Sequence, residues 1–151
     1  NNLTFGDGRR QYYETIAGGG GAGNGFHGSR GVQTHMTNSR LTDPEILEQR
    51  FPVRLERFGF RRGSGGSGRW SGGDGLLREF RFLEPMTVAL LSGSRIVAPF
   101  GLDGGEPGAR GAAEMTRADG SVAVLDGCVQ LQVNPGDRLL VATPGGGGWG
   151  G

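Results

Sequence analysis

The sequence predicts a mainly β single domain, a sandwich or barrel-like stack of short antiparallel strands whose glycine-rich loops gather at its ends. Three observations predict it. Residues 129–133 (Val-Gln-Leu-Gln-Val) alternate strictly with period two, which puts Val129, Leu131 and Val133 on one buried face. Turn dipeptides recur between short apolar runs, and one stretch alone carries a convincing helix start. Glycine supplies 33 of 151 residues in four clusters, residues 18–25, 63–75, 101–111 and 145–151, with strand-like segments between them.

Composition narrows the class. Leu, Ile, Val and Phe supply 34 residues and the formal net charge is +1, so the chain has apolar material for one packed core without the charge excess of disorder. Residues 1–151 therefore read as a single domain. The glycines are not spaced in threes, which excludes a collagen-like triple helix. No apolar run approaches the roughly 20 residues that cross a bilayer, so a membrane span is not expected. The chain opens at Asn1 without a basic and apolar leader, so no secretory signal is expected, and the missing initiator Met reads as a piece of something longer. Cys128 is the sole cysteine, which excludes an internal disulfide and paired-cysteine zinc patterns; a reducing, cytoplasmic compartment is the expectation. All 16 basic side chains are Arg and interleave with 15 acids, so a nucleic-acid surface is not expected. The absence of Lys excludes Walker A and Schiff-base chemistry.

In chain order, residues 11–16 read as a strand leading into the first glycine cluster. Asp43-Pro44-Glu45 supplies an N-cap carboxylate, a first-turn Pro and a first-turn acid. This order predicts a helix over residues 44–50, with Ile46, Leu47 and Phe51 toward the core and Pro52 stopping it. In residues 53–60 the apolar parity flips between Val53 and Leu55 and Phe58 and Phe60; a β-bulge at Glu56-Arg57 would restore one buried face. Three hairpins are predicted, turning at Glu84-Pro85, at Asp119-Gly120 and at Asn134-Pro135-Gly136-Asp137, the last returning through residues 138–143. Cys128 reads as a small buried hydrophobe at a strand start.

Gly18, Gly20 and Gly23 satisfy G-x-G-x-x-G, but the Gly-rich residues after them cannot propagate the helix that a dinucleotide fold requires. The cluster reads either as an anion-binding nest of backbone N–H groups or as a tightly packed turn. Residues 33–40 bring an imidazole, hydroxyls, an amide and a guanidinium into eight positions. They read either as part of a functional site or as a structural His35 followed by helix-capping groups. His27, His35, Asp43 and Glu45 match no trusted metal-ligand spacing, so no metal site is assigned. No Gly-x-Ser-x-Gly elbow supports a Ser-His-Asp triad.

Ordered strings then carry a resemblance that covers essentially the whole chain. Asn1-Asn2-Leu3-Thr4-Phe5-Gly6, Tyr13-Glu14-Thr15-Ile16 before the first glycines, and Gln33-Thr34-His35-Met36-Thr37-Asn38 before Thr42-Asp43-Pro44-Glu45 come first. Gly63-Ser64-Gly65-Gly66, Gly72-Gly73-Asp74-Gly75, Gly104-Gly105-Glu106-Pro107-Gly108 and Thr143-Pro144-Gly145-Gly146-Gly147-Gly148 follow in the same order. Together they resemble the carboxy-terminal part of the hydantoinase B/oxoprolinase family, whose 5-oxoprolinase and N-methylhydantoinase members open cyclic amides with ATP. Gln33 stands where some members have a second His, and Trp149 where a Tyr is frequent.

The resemblance implies two cooperating halves. A hydantoinase A-like half with an actin-like ATPase fold uses ATP and Mg to phosphorylate the amide oxygen, and the B half receives the activated lactam. Any divalent metal of the B half is expected upstream of these residues. On this reading His35, Thr37 and Asn38 are the catalytic candidates, and Gly20, Gly21, Gly23, Thr34 and Arg40 bind substrate or phosphate. The 151 residues alone are expected to neither hydrolyse ATP nor open 5-oxoproline. Two alternatives stand beside it, a subunit of an ATP-dependent acetone or acetophenone carboxylase and a non-catalytic assembly module.

Overall fold

Alternating apolar residues and turn chemistry produce nine strands and one short helix among the residues that the computed structural model describes, 1–34 and 39–151. In chain order these are β1 (Asn2–Gly6), β2 (Gln11–Thr15), α1 (Pro44–Arg50), β3 (Val53–Arg61), β4 (Gly75–Phe82), β5 (Met86–Leu91), β6 (Ala112–Thr116), β7 (Val122–Val124), β8 (Cys128–Val133) and β9 (Arg138–Ala142). They form two antiparallel sheets, β2-β1-β5-β8 and β3-β4-β9-β6-β7. The architecture is therefore the open sandwich alternative, not a barrel.

The core lies between the sheets, where Phe5 of β1 meets Phe80 and Phe82 of β4 with ring centroids 5.7 and 5.8 Å apart. Leu3, Val88 and Leu90 from one layer and Leu139, Val141 and Met115 from the other complete it. One buried charge pair spans the layers. Arg78 of β4 donates Nε to Glu14 Oε1 at 2.7 Å and Nη2 to Oε2 at 2.9 Å, and Tyr12 donates its hydroxyl to the same carboxylate at 2.6 Å. Arg78 also stacks over Phe58 and Phe80.

The helix begins as expected, with Asp43 Oδ1 accepting from Glu45 N at 2.9 Å and from Ile46 N at 3.4 Å. Leu47 is buried and Phe51 packs on Tyr12 at 5.1 Å. Ile46 is exposed instead of facing the core, because a two-turn helix lying on a sheet buries only one stripe. The bulge falls between Leu55 and Arg57, but beyond it Phe58 and Phe60 remain half-exposed, so β3 does not regain a fully buried face.

Of the three turns expected to make hairpins, only Asp119-Gly120 does so, joining β6 to β7 with Gly120 at a φ of 88°. The other two turns carry the chain from one sheet to the other. β4 lies in the five-stranded layer and β5 in the four-stranded one; β8 and β9 likewise belong to different layers. Hydrogen bonds show why. Gly136 N donates to Phe82 O and Phe82 N to Asp137 O, so the 134–137 turn is bonded to the end of β4 and not across a hairpin. Cys128 is exposed, since Val129 takes the inward parity of β8.

The four glycine clusters do not stay separate loops. They run side by side as extended segments joined by single backbone hydrogen bonds. Gly19 N donates to Pro144 O and, three residues on in both segments, Ala22 N donates to Gly147 O. Glu106 N donates to Ser67 O and Ala109 N to Ser64 O, again a step of three, now with the segments antiparallel. That spacing is the repeat of an extended threefold helix. A Cβ on Gly146 would lie 1.9 Å from Gly20 O, so the segments touch at a distance only glycine permits.

Candidate functional site

The glycine stack and the 92–102 loop enclose a cavity of about 480 Å³. Gly21, Gln33, Thr34, Ser94, Phe100 and Gly147 are among the residues lining it. Glycine makes one wall possible because flat backbone replaces side chains there. Gln33 is fixed by donating Nε2 to Thr15 O at 2.9 Å, at the end of β2. Behind the wall, Thr143 Oγ1 accepts from Leu76 N at 2.7 Å and donates to Ala17 O at 2.8 Å, tying the stack to the sandwich.

A second cavity of about 400 Å³ is lined by Gln33, Ser39 and Arg40, together with Ala17, Val32 and Leu41. The two cavities share Val32 and Gln33, so Thr34 opens on one and Arg40 on the other. His35, Thr37 and Asn38, the three catalytic candidates, lie outside the described residues.

The glycines expected to bind phosphate divide into two kinds. Gly20 and Gly23 are buried, and their N–H groups are spent on Ser29 O at 2.8 Å and Phe26 O at 3.2 Å. The tightly packed reading fits these two, since a bonded amide offers nothing to an anion. Gly21 is exposed and lines the first cavity with Thr34. Of the five binding candidates, the structure therefore gathers Gly21 and Thr34 at one cavity and places Arg40 at its neighbour.

The other singled-out groups have local structural work. His27 Nδ1 accepts from Ser71 N at 2.9 Å. Asp74 accepts from Ser64 N at 2.9 Å and Gly65 N at 3.2 Å and pairs with Arg30 at 3.4 Å. No group of three or more His, Cys, Asp or Glu suited to a metal occurs among the described residues, and none of their helices is long and apolar enough to cross a membrane. Sequence reasoning missed the Glu14–Arg78 pair. Its signal was parity, since both charges share the inward-facing parity of their neighbours, Tyr12 on β2 and Leu76, Phe80 and Phe82 on β4. Burial, then the hydrogen bond to Glu14, pushes the Tyr12 hydroxyl up to about 12.

Comparison with known proteins places this geometry. The chain is 53% identical over 150 residues to 5-oxoprolinase 1 of Arabidopsis thaliana, covering 99% of this chain and 12% of that protein. Its fold matches the ATP-dependent caprolactamase from Pseudomonas jessenii with a TM-score of 0.75 at 22% identity, over 99% of this chain and 28% of that one. It matches nucleotide-free acetone carboxylase with a TM-score of 0.79 at 18% identity, over 99% of this chain and 25% of that one. The chain thus spans a minor part of each relative. The hydantoinase B/oxoprolinase family model matches residues 1–151, so the chain belongs to that family.

Proposed function

We propose that this chain is the part of an ATP-dependent cyclic-amide hydrolase, acting on 5-oxo-L-proline or a similar lactam, that receives the phosphorylated intermediate for ring opening. The observation that carries the reading is the 53% identity over 99% of the chain to a 5-oxoprolinase. The paired cavities support it, because they put Gly21 and Thr34 on one side of Gln33 and Arg40 on the other.

Amide resonance makes a lactam carbonyl a poor electrophile, and moving a phosphoryl group from ATP to its oxygen gives an imidate that water attacks. The partner half, a hydantoinase A-like ATPase with ATP and Mg, supplies that step. Water then adds to the ring carbon, the C–N bond breaks, and the ring nitrogen leaves with its electron pair and takes a proton from His35. The resulting acyl phosphate is hydrolysed by a second water to the carboxylate and inorganic phosphate. Thr37 and Asn38 hold the developing oxyanion, and Thr34, Arg40 and the exposed backbone at Gly21 hold the phosphate. The buried amides of Gly20 and Gly23 act one step back, fixing the wall that carries Gly21.

The test uses the full-length polypeptide with its ATPase partner. His35→Ala and Asn38→Ala should each lower 5-oxo-L-proline opening by about 10² or more, with ATP hydrolysis persisting uncoupled and the melting temperature nearly unchanged. Full coupled turnover in both variants would overturn the assignment. ATP turnover that depends on acetone and bicarbonate instead of a lactam would favour the carboxylase reading.

A further inference from the structure

Asn24-Gly25 is the one Asn-Gly pair in the sequence, and it closes the first glycine cluster. Gly23 and Phe26 pair around it, Gly23 N donating to Phe26 O and Phe26 N to Gly23 O, each at 3.2 Å, so the turn between them has two residues. Both turn residues are exposed. Gly25 holds a left-handed φ of 91°, and a Cβ built on it would meet nothing within 4 Å. Neither the Gly25 N–H nor the Asn24 carboxamide has a hydrogen-bond partner among the described residues.

This arrangement suits an intramolecular reaction. The carboxamide of Asn24 is an electrophile tethered next to the Gly25 nitrogen, and a glycine in that place has no Cβ to hinder the approach. Comparable Asp-Gly pairs are held fast. At Asp74-Gly75 the Gly75 N–H is donated to Ser64 Oγ at 2.9 Å, and the Asp74 carboxylate accepts from Ser64 N and Gly65 N. At Asp119-Gly120 the Gly120 N–H is donated to Arg117 O at 2.9 Å. Both pairs also present a carboxylate, a far poorer electrophile than a carboxamide.

We propose that Asn24-Gly25 is a spontaneous modification site, which rearranges to an isoaspartyl link and so undoes the turn beside the first cavity. The Gly25 nitrogen loses its proton and adds to Asn24 Cγ; the bond from Cγ to Nδ2 breaks, and Nδ2 leaves as ammonia with that proton, giving a cyclic imide. Water then opens the imide at either carbonyl. Cleavage of the new Cγ–N bond gives aspartate, and cleavage of the old peptide bond gives the isoaspartyl link. The sum is one water taken up and one ammonia released, with no oxidant or reductant. In the isoaspartyl product the main chain runs through Cβ and Cγ of residue 24, one atom longer, and a free carboxylate adds a negative charge. A two-residue turn lengthened in this way cannot keep both of its bonds. Gly23 then loses the acceptor that holds it, next to Gly21 and Ala22, which line the cavity. The inference does not depend on which substrate the family member opens.

Trypsin isolates the site, because residues 11–30 lie between two Arg cleavage points and contain Asn24 as their sole Asn, with no Asp. When the native full-length polypeptide is aged at mildly alkaline pH, this peptide should gain about 1 Da at a rate within about tenfold of that in the urea-unfolded chain, since a turn closed by two bonds opens at little cost. Electron-transfer fragmentation should resolve aspartyl and isoaspartyl forms. The peptide carrying Asn134 should keep its mass, because Pro135 has no N–H to attack. Asn24→Gln, which would have to close a larger ring, should abolish the gain. In isoaspartyl-enriched protein the amides of Gly23 and Phe26 should exchange with deuterium about tenfold or more faster. A native protein whose residues 11–30 stay unconverted while the unfolded chain converts overturns the inference, and so does conversion that leaves exchange at Gly23 and Phe26 unchanged.

Discussion

The sandwich and the glycine stack are interiors of opposite kinds within one chain. Between the sheets, layers meet through side chains, with Phe5 set against Phe80 and Phe82 and Leu139 and Val141 filling the space beside them. In the stack, segments meet through backbone, so that a Cβ on Gly19 would lie 1.8 Å from Gly73 O and one on Gly146 1.9 Å from Gly20 O. The first interior gains from apolar burial and adjusts by changing rotamers. The second gains from hydrogen bonds and close contact, and carries the high conformational entropy cost of ordering glycine. A side-chain core tolerates graded change; a backbone core has no smaller residue to fall back on.

This contrast can be broken most sharply inside the stack. Gly146→Ala should cost more than about 4 kcal/mol and prevent stable folding, since the clash is with a carbonyl that is itself held in the hydrogen-bonded array. Chemical denaturation followed by circular dichroism measures it. A near-native midpoint would show that the segments slide apart at little cost.

Next in size is the polar exception within the sandwich. Arg78→Met should cost about 3–5 kcal/mol because Glu14 is left charged and buried, and adding Glu14→Leu should recover most of the loss. If the double variant is no better than the single one, the pair contributes through packing and not through charge.

A smaller effect is expected from pH. Tyr12 keeps its proton up to about pH 12 in the fold, against about 10 in an unfolded chain. Its contribution to stability is therefore whole below pH 10, declines between 10 and 12, and is gone above that range. Tyr12→Phe should flatten that decline in urea midpoints measured across the window, and an unchanged slope would place the dependence elsewhere.

The smallest effect should come from Gly59→Ala in β3, where a Cβ meets nothing within 4 Å. A change within about 0.5 kcal/mol is expected at this site. A large loss there would dissolve the distinction between glycines that pack and glycines that merely connect.

Much of the sandwich was legible because its signals are local. The alternation of residues 129–133, the Asp43-Pro44 helix start, the 119–120 hairpin and the bulge at residues 55–57 all depend on neighbours within a few positions. The turns at 84–85 and 134–137 were legible as reversals but not as crossings, because turn chemistry sets direction and not the sheet that receives the next strand. Exposure of Cys128 and Ile46 was likewise a matter of which neighbour covers them. At the site, residue type singled out Gly21, Thr34 and Arg40 as phosphate-binding candidates, and the fold sets them beside cavities, whereas the spent amides of Gly20 and Gly23 depended on Ser29 and Phe26.

By itself, then, the sequence determined the strand and helix content, the family, and the absence of Lys and of paired cysteines, since each is written in residue type and short-range order. Tertiary structure alone decided that four glycine clusters spread over more than a hundred residues become one backbone-packed wall, and that Glu14 and Arg78 meet across the core. Glycine leaves no side-chain pattern to read, and a charge gives no sign of its partner until the sheets bring the two together. Both outcomes rest on contacts between segments remote in sequence, where local propensity carries no information.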